Sequence, residues 1–206
     1  MPAYQRKDHY FKKAKDTGLR SRAAFKLMEL NQRYRLLRQG QLVVDLGCWP
    51  GGWMQVISKE IGPFGRVIGL DIEPMEMQGM RNTCFIQGDI REERTRQLLL
   101  AELGRKVDLV LSDMAPNLSG IKFQDHYNSY ELAEQAFQLC KLVLREGGDF
   151  AVKIFPGEEL EPFKDNLKNA FTQLKTFIPD STRKTSTEIY LVAKGFKNGK
   201  IGRAHV

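Results

Sequence analysis

Five charged side chains stand inside or directly after apolar runs, where a folded chain rarely accepts a charge. Lys153 lies inside the run FAVKIF, and Asp45 lies inside LVVDL. Asp71, Asp89 and Asp113 each follow a short apolar run of the kind that predicts a buried strand. A buried lysine is costly unless it is paired or performs chemistry. Because the carboxyl ends of parallel strands meet at one edge of a sheet, the aspartates predict a site there for a ligand rich in hydrogen-bond donors.

Each of these residues also has a structural interpretation. Any of the aspartates could cap the helix that follows it, and Asp89 is the most open to that alternative. Lys153 could be no more than the partner of Asp113 in a buried ion pair. The residues alone leave both interpretations open.

The stretch DLGCWPGGW (45–53) predicts a strand, a glycine turn and a helix, which form the front half of a nucleotide-binding βαβ unit. Gly47 and Gly52 fit the ends of the dinucleotide fingerprint G-x-G-x-x-G, but Trp49 replaces its middle glycine. A phosphate loop needs a lysine after Gly52, and that position holds Trp53. The remaining candidate is a nucleoside without a pyrophosphate, of which S-adenosylmethionine is the commonest. The alternative is a turn that only joins strand to helix.

Strands and helices alternate along the chain, which predicts an α/β fold with a mostly parallel sheet. The predicted strands are 42–46, 66–70, 84–87, 107–111, 150–155, 175–178 and 188–192. The predicted helices are 22–37 with Ser21 as N-cap, 53–61, 92–103, 129–145 ended by Gly147 and Gly148, and 161–174. Residues 1–16 are predicted to be mobile, and 117–127 to form an irregular substrate loop. Asp71 follows Gly51 by twenty positions, an interval at which such folds bind ribose hydroxyls with a carboxylate.

All of the net charge of +7 lies ahead of the glycine turn. Residues 1–40 contain eleven Lys and Arg residues and three acidic ones, whereas the rest of the chain is nearly neutral. This concentration is typical of a nucleic-acid binder, although a solvated basic tail would look the same. In the predicted helix 22–37, Arg22, Lys26 and Arg33 follow the margin of the apolar stripe. Lys26 could contact substrate there or be a snorkelling surface lysine.

The 206 residues predict one catalytic domain over 21–194, between a basic segment 1–20 and a polar tail 195–206. Three scattered cysteines and three histidines show neither a disulfide framework nor the spacing of a metal site. We find no apolar run long enough to span a bilayer and no signal peptide, so a cytoplasmic location is expected.

Five motifs together resemble the FtsJ/RlmE-type 2′-O-ribose methyltransferases, which act on large-subunit ribosomal RNA. These motifs are GLRSRAAFKL (18–27), DLGCWPGGW (45–53), LSDMAPNLSG (111–120), VKIF (152–155) and PDSTRKTSTEIYLVA (179–193). The resemblance covers residues 18–194 and implies a Rossmann-like class I methyltransferase fold with a seven-stranded sheet and helices on both faces. The chain departs from the family pattern at Cys48 and Trp49, where smaller residues are common.

The resemblance implies that a tetrad of Lys26, Asp113, Lys153 and Glu188 performs the reaction. Together with the turn, it also implies the residues that bind S-adenosylmethionine, which are Asp45, Gly47, Gly51, Gly52, Trp53, Asp71, Asp89 and Asp113. The implied substrate is a uridine of the peptidyl-transferase region, presented in a ribosomal particle to a monomeric enzyme.

The expected reaction is an in-line displacement in which a ribose oxygen attacks the sulfonium methyl group. Positioning and removal of the hydroxyl proton are then the tasks of the protein. Lys153 is the expected base, because burial and a second ammonium at Lys26 favour its neutral form. Two alternatives remain. One is a base methyltransferase, because 113–116 loosely resembles an acidic-Pro-Pro-aromatic motif with Asn117 in the aromatic position. The other is a ribosome assembly factor without turnover.

Overall fold

The computed structural model describes residues 9–77, 81–183 and 186–197. Its core is a single seven-stranded sheet covered by helices on both faces. In chain order the elements are α1 (His9–Asp16), α2 (Ala23–Tyr34), β1 (Leu42–Leu46), α3 (Gly52–Ile61), β2 (Arg66–Asp71), β3 (Thr83–Gln87), α4 (Glu93–Leu103), β4 (Val107–Ser112), α5 (Lys122–Val143), β5 (Leu144–Ile154), α6 (Leu160–Ala170), β6 (Phe171–Phe177) and β7 (Ile189–Phe196).

The strand order is β3-β2-β1-β4-β5-β7-β6. Strands β1 to β5 pair in parallel, whereas β7 runs antiparallel to both β5 and β6. The order reverses between β1 and β4, the place at which α/β sheets bind ligands beyond the carboxyl ends of their strands. The predicted fold class, a mostly parallel seven-stranded sheet with helices on both faces, is therefore confirmed.

Alternation along the strands separates two apolar cores. Val44 and Leu46 belong to the core under α4, α5 and α6, whereas Val43 belongs to the core under α2 and α3. On β5, Val152 and Ile154 face the first core and Ala151 the second. Because successive side chains point to opposite faces, every second residue of a strand shares one face. We call the two sides the α5 face and the α2 face.

The N-terminal region differs from the prediction of a mobile segment. His9–Asp16 form a helix, and the ring of Tyr10 packs on Phe25 of α2 at 5.5 Å. The ammonium of Lys13 lies 5.0 Å from the centre of the Phe25 ring, and Ala14 is buried. One helical turn thus aligns Tyr10 with Ala14 against α2, a contact that polar composition does not reveal. Residues 1–8 lie outside the described residues.

The bounds of α2 were also wrong at both ends. The helix begins at Ala23 with Arg22 in the N-cap position and without a side-chain cap, so Ser21 is not the cap. The Ser21 side chain instead faces Gly52, where an added Cβ would lie 2.1 Å from Ser21 Oγ. The helix ends at Tyr34 because Arg35 adopts a left-handed conformation with φ of 50°.

The predicted substrate loop is shorter than expected, because α5 begins at Lys122. The carboxylate of Asp125 accepts hydrogen bonds from the backbone amides of Ser119 and Gly120 at 2.7 and 3.2 Å, which fastens the chain just before the helix. At the other end, Gly147 and Gly148 do not terminate the helix but lie inside β5. They occupy an irregularity at which the pairing of β5 with β4 shifts register.

The last third of the chain contains more strand than expected. Helix α6 ends at Ala170, and β6 begins at once with Phe171, whose buried ring stacks on Phe150 at 6.2 Å. Strand β7 continues to Phe196, so residues 195 and 196 of the predicted tail belong to the sheet. None of the helices in the described ranges is long and apolar enough to cross a membrane.

Candidate active site

Lys153 and Asp113 meet at the carboxyl edge of the sheet, on the α2 face. The Lys153 ammonium lies 3.0 Å from Asp113 Oδ1 and donates a 2.6 Å hydrogen bond to the Asp113 backbone carbonyl. The lysine side chain is only 6% exposed. Lys153 shares its face with Ala151, and Asp113 shares its face with Leu111, so strand alternation brings the pair together.

Lys26 and Glu188 complete the predicted tetrad. They form an ion pair between α2 and the residue just before β7, with both side chains nearly buried. Because β7 is antiparallel, its first residues lie at the same edge as the last residues of β5, and Lys153 is paired in register with Tyr190. The structure therefore brings all four predicted tetrad residues to one place.

Tyr190 joins the two ion pairs and was not among the predicted site residues. Its hydroxyl donates a 2.6 Å hydrogen bond to Asp113 Oδ1, and the Lys26 ammonium lies 5.9 Å from the centre of its ring. The Trp53 ring also packs near the Tyr190 ring, at a centroid distance of 5.9 Å. One feature of the sequence could have identified Tyr190. It follows Glu188 by two positions, and residues two apart face the same side of a strand.

The neighbours of Asp113 decide its charge. Burial would raise the pKa of this carboxyl, but the ammonium groups of Lys153 and Lys26 and the hydrogen bond from Tyr190 outweigh burial and hold the pKa below its usual value. The same contact acts oppositely on the phenol, since burial, Asp113 and Glu188 raise the pKa of Tyr190 well above its usual value. Asp113 is therefore a carboxylate and Tyr190 a neutral hydrogen-bond donor at physiological pH.

A pocket of about 640 Å³ opens beside the tetrad, on the α5 face. It extends from the glycine turn across the ends of β2 and β3 to the start of the segment after β4. Asp113 belongs both to this pocket and to the tetrad. The lining residues are Gly47, Trp49, Leu70, Asp71, Ile72, Gly88, Asp89, Ile90, Arg91, Asp113, Met114, Ala115, Pro116, Asn117, Asn128, Glu131, Leu132 and Gln135.

Gly47 lines the pocket next to Met114. Its φ is 75°, and a Cβ at this position would come within 2.8 Å of the Met114 backbone. A side chain there would be strained and would collide with the segment after β4. The position thus requires glycine, and it lets the turn approach Met114 closely enough to form one continuous wall.

Asp71 is held at the pocket by the turn that follows β1. Its Oδ2 accepts a 2.8 Å hydrogen bond from the Trp49 amide, and its Oδ1 accepts a 3.0 Å bond from the Glu73 amide. The predicted site residue Asp89 also lines the pocket, where it forms a 2.5 Å ion pair with Arg91. Hydrogen bonds from Arg91 lower the pKa of Asp89. Two carboxylates therefore flank the pocket, as the sequence predicted.

Four other predicted cofactor residues are not among the described residues that line the pocket. Asp45 is fully buried on the α2 face, and neither of its carboxyl oxygens has a hydrogen-bond partner among the described residues. Burial, followed by the nearby Asp113 and Asp71, raises the pKa of Asp45 well above its usual value. Its position has a simple cause, since the chain leaves the sheet only after Leu46.

The other three belong to the packing of α3. Gly51, with φ of 97°, is the N-cap of this helix, and Gly52 allows the close contact with Ser21. The Trp53 side chain is buried, and its Nε1 donates a 2.8 Å hydrogen bond to the Ala23 carbonyl. Trp53 therefore supports α2, which carries Lys26, while Trp49 lies at the pocket mouth with 54% of its surface exposed.

The sequence interpretation missed the contribution of α5 to the pocket. Asn128, Glu131, Leu132 and Gln135 line it from one side of that helix. Their spacing of three, one and three residues is that of a single helical face, but the same spacing occurs on any amphipathic helix. Only the position of α5 beside the β4 end identifies these residues as pocket walls.

The pocket suits a nucleoside with a positively charged group. Its volume lies in the range of small-molecule sites. Asp71 and Asp89 offer acceptors for ribose hydroxyls and an amine, and Asp113 provides negative charge at the end next to the tetrad. Exposed Trp49 and Ile72 add apolar surface at the mouth. These donors and acceptors fit S-adenosylmethionine, and the predicted contacts of Asp45, Gly51, Gly52 and Trp53 with it stay predictions.

Two curated relatives resemble nearly the whole chain. A protein of Desulfatibacillum aliphaticivorans is 48% identical over 193 residues, which are 94% of this chain and 92% of that protein. A protein of Halorubrum lacusprofundi is 42% identical over 196 residues, which are 95% of this chain and 73% of that protein. Both relatives are named ribosomal RNA large subunit methyltransferase E.

Solved structures show the same architecture. A ribosomal RNA methyltransferase from Plasmodium falciparum superposes with a TM-score of 0.74 at 35% identity, over 86% of this chain and 98% of that one. Fibrillarin from Aeropyrum pernix, solved with natively bound S-adenosylmethionine, gives a TM-score of 0.62 at 22% identity, over 84% and 74% of the two chains. The fibrillarin likeness concerns the fold alone. A family model described as FtsJ-like methyltransferase matches residues 19–196. The chain is an enzyme that belongs to the FtsJ-like methyltransferase family.

Proposed function

We propose that this enzyme methylates a ribose 2′-hydroxyl of large-subunit ribosomal RNA and uses S-adenosylmethionine as the methyl donor. The observation that carries the proposal is the position of Asp113, which lines the pocket on one side and pairs with buried Lys153 on the other. A nucleophile held by the tetrad would therefore lie next to a donor held in the pocket. The names of the two curated relatives support the same substrate.

S-adenosylmethionine would supply a methyl group that its sulfonium already activates. Asp71 and Asp89 would hold its ribose and amine groups, and the wall formed by Gly47 and Met114 would bound its site. The remaining task of the protein is to align a weakly acidic hydroxyl with that methyl group and to remove its proton.

Lys153 is the group we assign to that proton. Its ammonium is fixed by the carboxylate and the backbone carbonyl of Asp113, which leave one donor position of the three directed elsewhere. Loss of one proton to solvent would leave a lone pair on Lys153 Nζ in this direction. That lone pair could then accept the hydroxyl proton. Lys26, held by Glu188, would keep a positive charge beside the developing ribose oxyanion.

The two alternatives explain fewer of these contacts. A base methyltransferase would use the segment from Asp113 to Asn117 but gives no role to an ammonium buried behind it. An assembly factor without turnover has no need of two buried or nearly buried ammonium groups beside the pocket. We also propose that the target is a uridine in an assembled ribosomal particle, and that the enzyme acts in the cytoplasm as a monomer.

Mapping of ribose methylation in cells tests the proposal. Large-subunit RNA is prepared from cells that have or lack the gene, and 2′-O-methylated nucleotides are located by mass spectrometry of RNA fragments. We expect one uridine to lose its 2′-O-methyl group without the gene and to regain it when the native gene is restored. A gene whose loss changes only base methylation, or no modification at all, would contradict the proposal.

A further inference from the structure

Helix α2 and its N-cap residue hold the segment between β6 and β7 through three charged side chains on one face. Arg22, Lys26 and Glu29 are spaced by four and three residues, so they lie one above another along the helix. All three contact the stretch that connects β6 to β7, here called the β6–β7 segment (the described residues 178–183 and 186–188). Lys26 binds Glu188, whereas the other two bind backbone atoms near the start of the segment.

Glu29 binds two successive backbone amides. Its Oε2 accepts a 2.6 Å hydrogen bond from Asp180 N, and its Oε1 accepts a 3.1 Å bond from Ser181 N. A guanidinium nitrogen of Arg22 donates to the carbonyl of the same Ser181. Ser181 is fully buried, and its N–H and C=O are thus held by a side chain of α2 and by the side chain of its N-cap residue. Hydrogen bonds to a charged acceptor are the stronger kind.

The hydrogen bonds of Glu29 and Arg22 to the backbone of residues 180 and 181, here called the clamp, are linked to the tetrad by further hydrogen bonds. Thr182 N donates to the Pro179 carbonyl at 3.0 Å, which closes a turn around the clamped residues. Thr182 Oγ1 then donates to Glu188 Oε1 at 3.3 Å, and this oxygen is also the partner of Lys26. Glu188 N donates to Ser186 Oγ at 3.3 Å. The clamp and the Lys26–Glu188 pair therefore converge on one carboxylate oxygen.

We propose that Glu29 is a positioning residue for methyl transfer, which fixes the β6–β7 segment on α2 so that Glu188 holds Lys26 in its working geometry. The inference rests on the proposed function of the tetrad. Among the described residues, Glu29 does not line the pocket and has no hydrogen bond or ion pair with a tetrad side chain, so its route to the site is the segment. Its influence on the reaction should therefore be geometric and should leave cofactor affinity unchanged.

The test compares Glu29→Ala and Glu29→Gln with Glu60→Ala, which removes an exposed carboxylate near the end of α3. Methylation of unmodified large ribosomal subunits is measured well below the melting temperature, with cofactor affinity determined by calorimetry. We expect Glu29→Ala to lower kcat about 10- to 100-fold, as misplacement of a catalytic group does. Glu29→Gln keeps one acceptor oxygen and should lose less. Glu60→Ala should keep native kcat, and all three should keep native cofactor affinity.

Amide hydrogen exchange reports the clamp without reference to activity. In the native protein Asp180 N and Ser181 N are bonded to Glu29, so a peptide that covers 178–183 should exchange slowly. Exchange in that peptide should accelerate in Glu29→Ala and stay native in Glu60→Ala. Should Glu29→Ala fail to fold, Glu29→Gln carries the same comparison.

A double-mutant cycle with Glu188→Ala separates positioning from general stability. If Glu29 acts through Glu188, the double variant loses no more kcat than the more damaged single variant, because coupled residues are not additive. Additive losses, or native kcat in a folded Glu29→Ala protein with accelerated exchange, would overturn the inference. Native kcat in Glu188→Ala would overturn it as well. Failure of the proposed function would be distinct, since the native enzyme itself would then place no methyl group on ribose.

Discussion

Lys153 contacts Asp113 at two atoms, with 3.0 Å to the carboxylate Oδ1 and 2.6 Å to the backbone carbonyl. Two contacts fix an ammonium group in direction as well as in position. A simple ion pair would need only the first contact. The second aims the remaining donor position of Lys153 and makes the lysine a suitable group to meet a substrate hydroxyl.

The first prediction distinguishes a base from an ion-pair partner. Arginine keeps the charge of Lys153 but does not give up a proton in proteins. We expect Lys153→Arg to retain the fold and cofactor binding and to reduce methylation of ribosomal subunits by about two orders of magnitude or more. Circular dichroism and calorimetry check the first two properties, and Lys59→Arg on α3 is the matched control. Substantial turnover in Lys153→Arg would leave the lysine only its structural role.

Tyr190 provides the second prediction. Tyr190→Phe keeps the buried ring and removes the 2.6 Å hydrogen bond to Asp113. A hydrogen bond to a charged group contributes roughly 1.5 to 3 kcal/mol, so kcat should fall about 10-fold or more if the bond aligns Asp113 in the transition state. KM for ribosomal subunits should change little. Tyr34→Phe on α2 is the control, and a native kcat in Tyr190→Phe would make the hydroxyl dispensable.

A third prediction concerns cofactor binding at Asp71. Asp71→Ala removes an acceptor from the pocket and also frees the Trp49 and Glu73 amides. Titration calorimetry should show an affinity for S-adenosylmethionine weaker by roughly 1.5 to 3 kcal/mol. Asp71→Asn keeps one acceptor oxygen and should lose less, while Asp165→Ala on the exposed side of α6 should bind normally. Unchanged affinity in Asp71→Ala would remove this aspartate from the cofactor site.

The fourth prediction is a pH dependence of stability with opposite signs at two aspartates. Burial raises the pKa of Asp45, so the folded protein keeps a proton that the unfolded chain releases above about pH 4. Stability is therefore lost at this site as pH rises above that value. Asp45→Asn removes the loss and should raise Tm at pH 7 more than at pH 4. Thermal melts across pH check this, and an equal effect at both pH values would contradict it.

Asp108 is the matched variant for that experiment. Burial would raise its pKa, but hydrogen bonds from the Leu42 amide, Arg105 and Arg145 outweigh burial and lower the pKa. A lowered pKa stabilises the fold above the unfolded pKa, and that contribution is lost as pH falls through the folded value. Asp108→Asn should therefore lower Tm more at pH 7 than toward acid, opposite in sign to Asp45→Asn.

The fifth prediction concerns the basic N-terminal region. Arg22, which the sequence placed on the basic margin of the predicted helix 22–37, already binds the Ser181 carbonyl and lies 5.9 Å from the Tyr10 ring centre, so a substitution there would disturb the fold. Exposed Lys12 and Lys15 on α1 are better probes. Replacing both with Ala should lower the slope of log affinity for RNA against log salt by about one to two units. The control variant, with Lys164→Ala and Lys168→Ala on α6, should leave the slope unchanged. An unchanged slope in the α1 variant would contradict the prediction.

Much of the tetrad could be predicted from parity along the strands. Lys153 has the parity of Ala151, and Glu188 and Tyr190 have the parity of Val192, all on the α2 face. The sequence pattern does not predict the antiparallel direction of β7, which brings Glu188 to the same edge as Lys153. The family resemblance supplied that relation, and strand propensity could not have done so.

The predicted cofactor residues show how much of a binding site can be predicted from a glycine turn and the ends of strands. Gly47, Asp71, Asp89 and Asp113 line the pocket as expected, because strand ends meet at one edge. Asp45 and Trp53 do not line the pocket, since one lies inside β1 and the side chain of the other packs under α2, and their contact with the cofactor stays a prediction. The pocket face of α5 and the early start of that helix depend on contacts of Asp125 with residues before the helix, which propensity does not register.

The attachment point of the methyl group tests the central claim most directly. Native enzyme is incubated with unmodified large ribosomal subunits and radiolabelled S-adenosylmethionine, and the RNA is then hydrolysed in alkali. Alkaline cleavage needs a free 2′-hydroxyl, so a ribose methyl group protects one linkage. We predict that the label appears in an alkali-stable dinucleotide and that Lys153→Arg gives almost none. Label in mononucleotides would show base methylation and contradict the account.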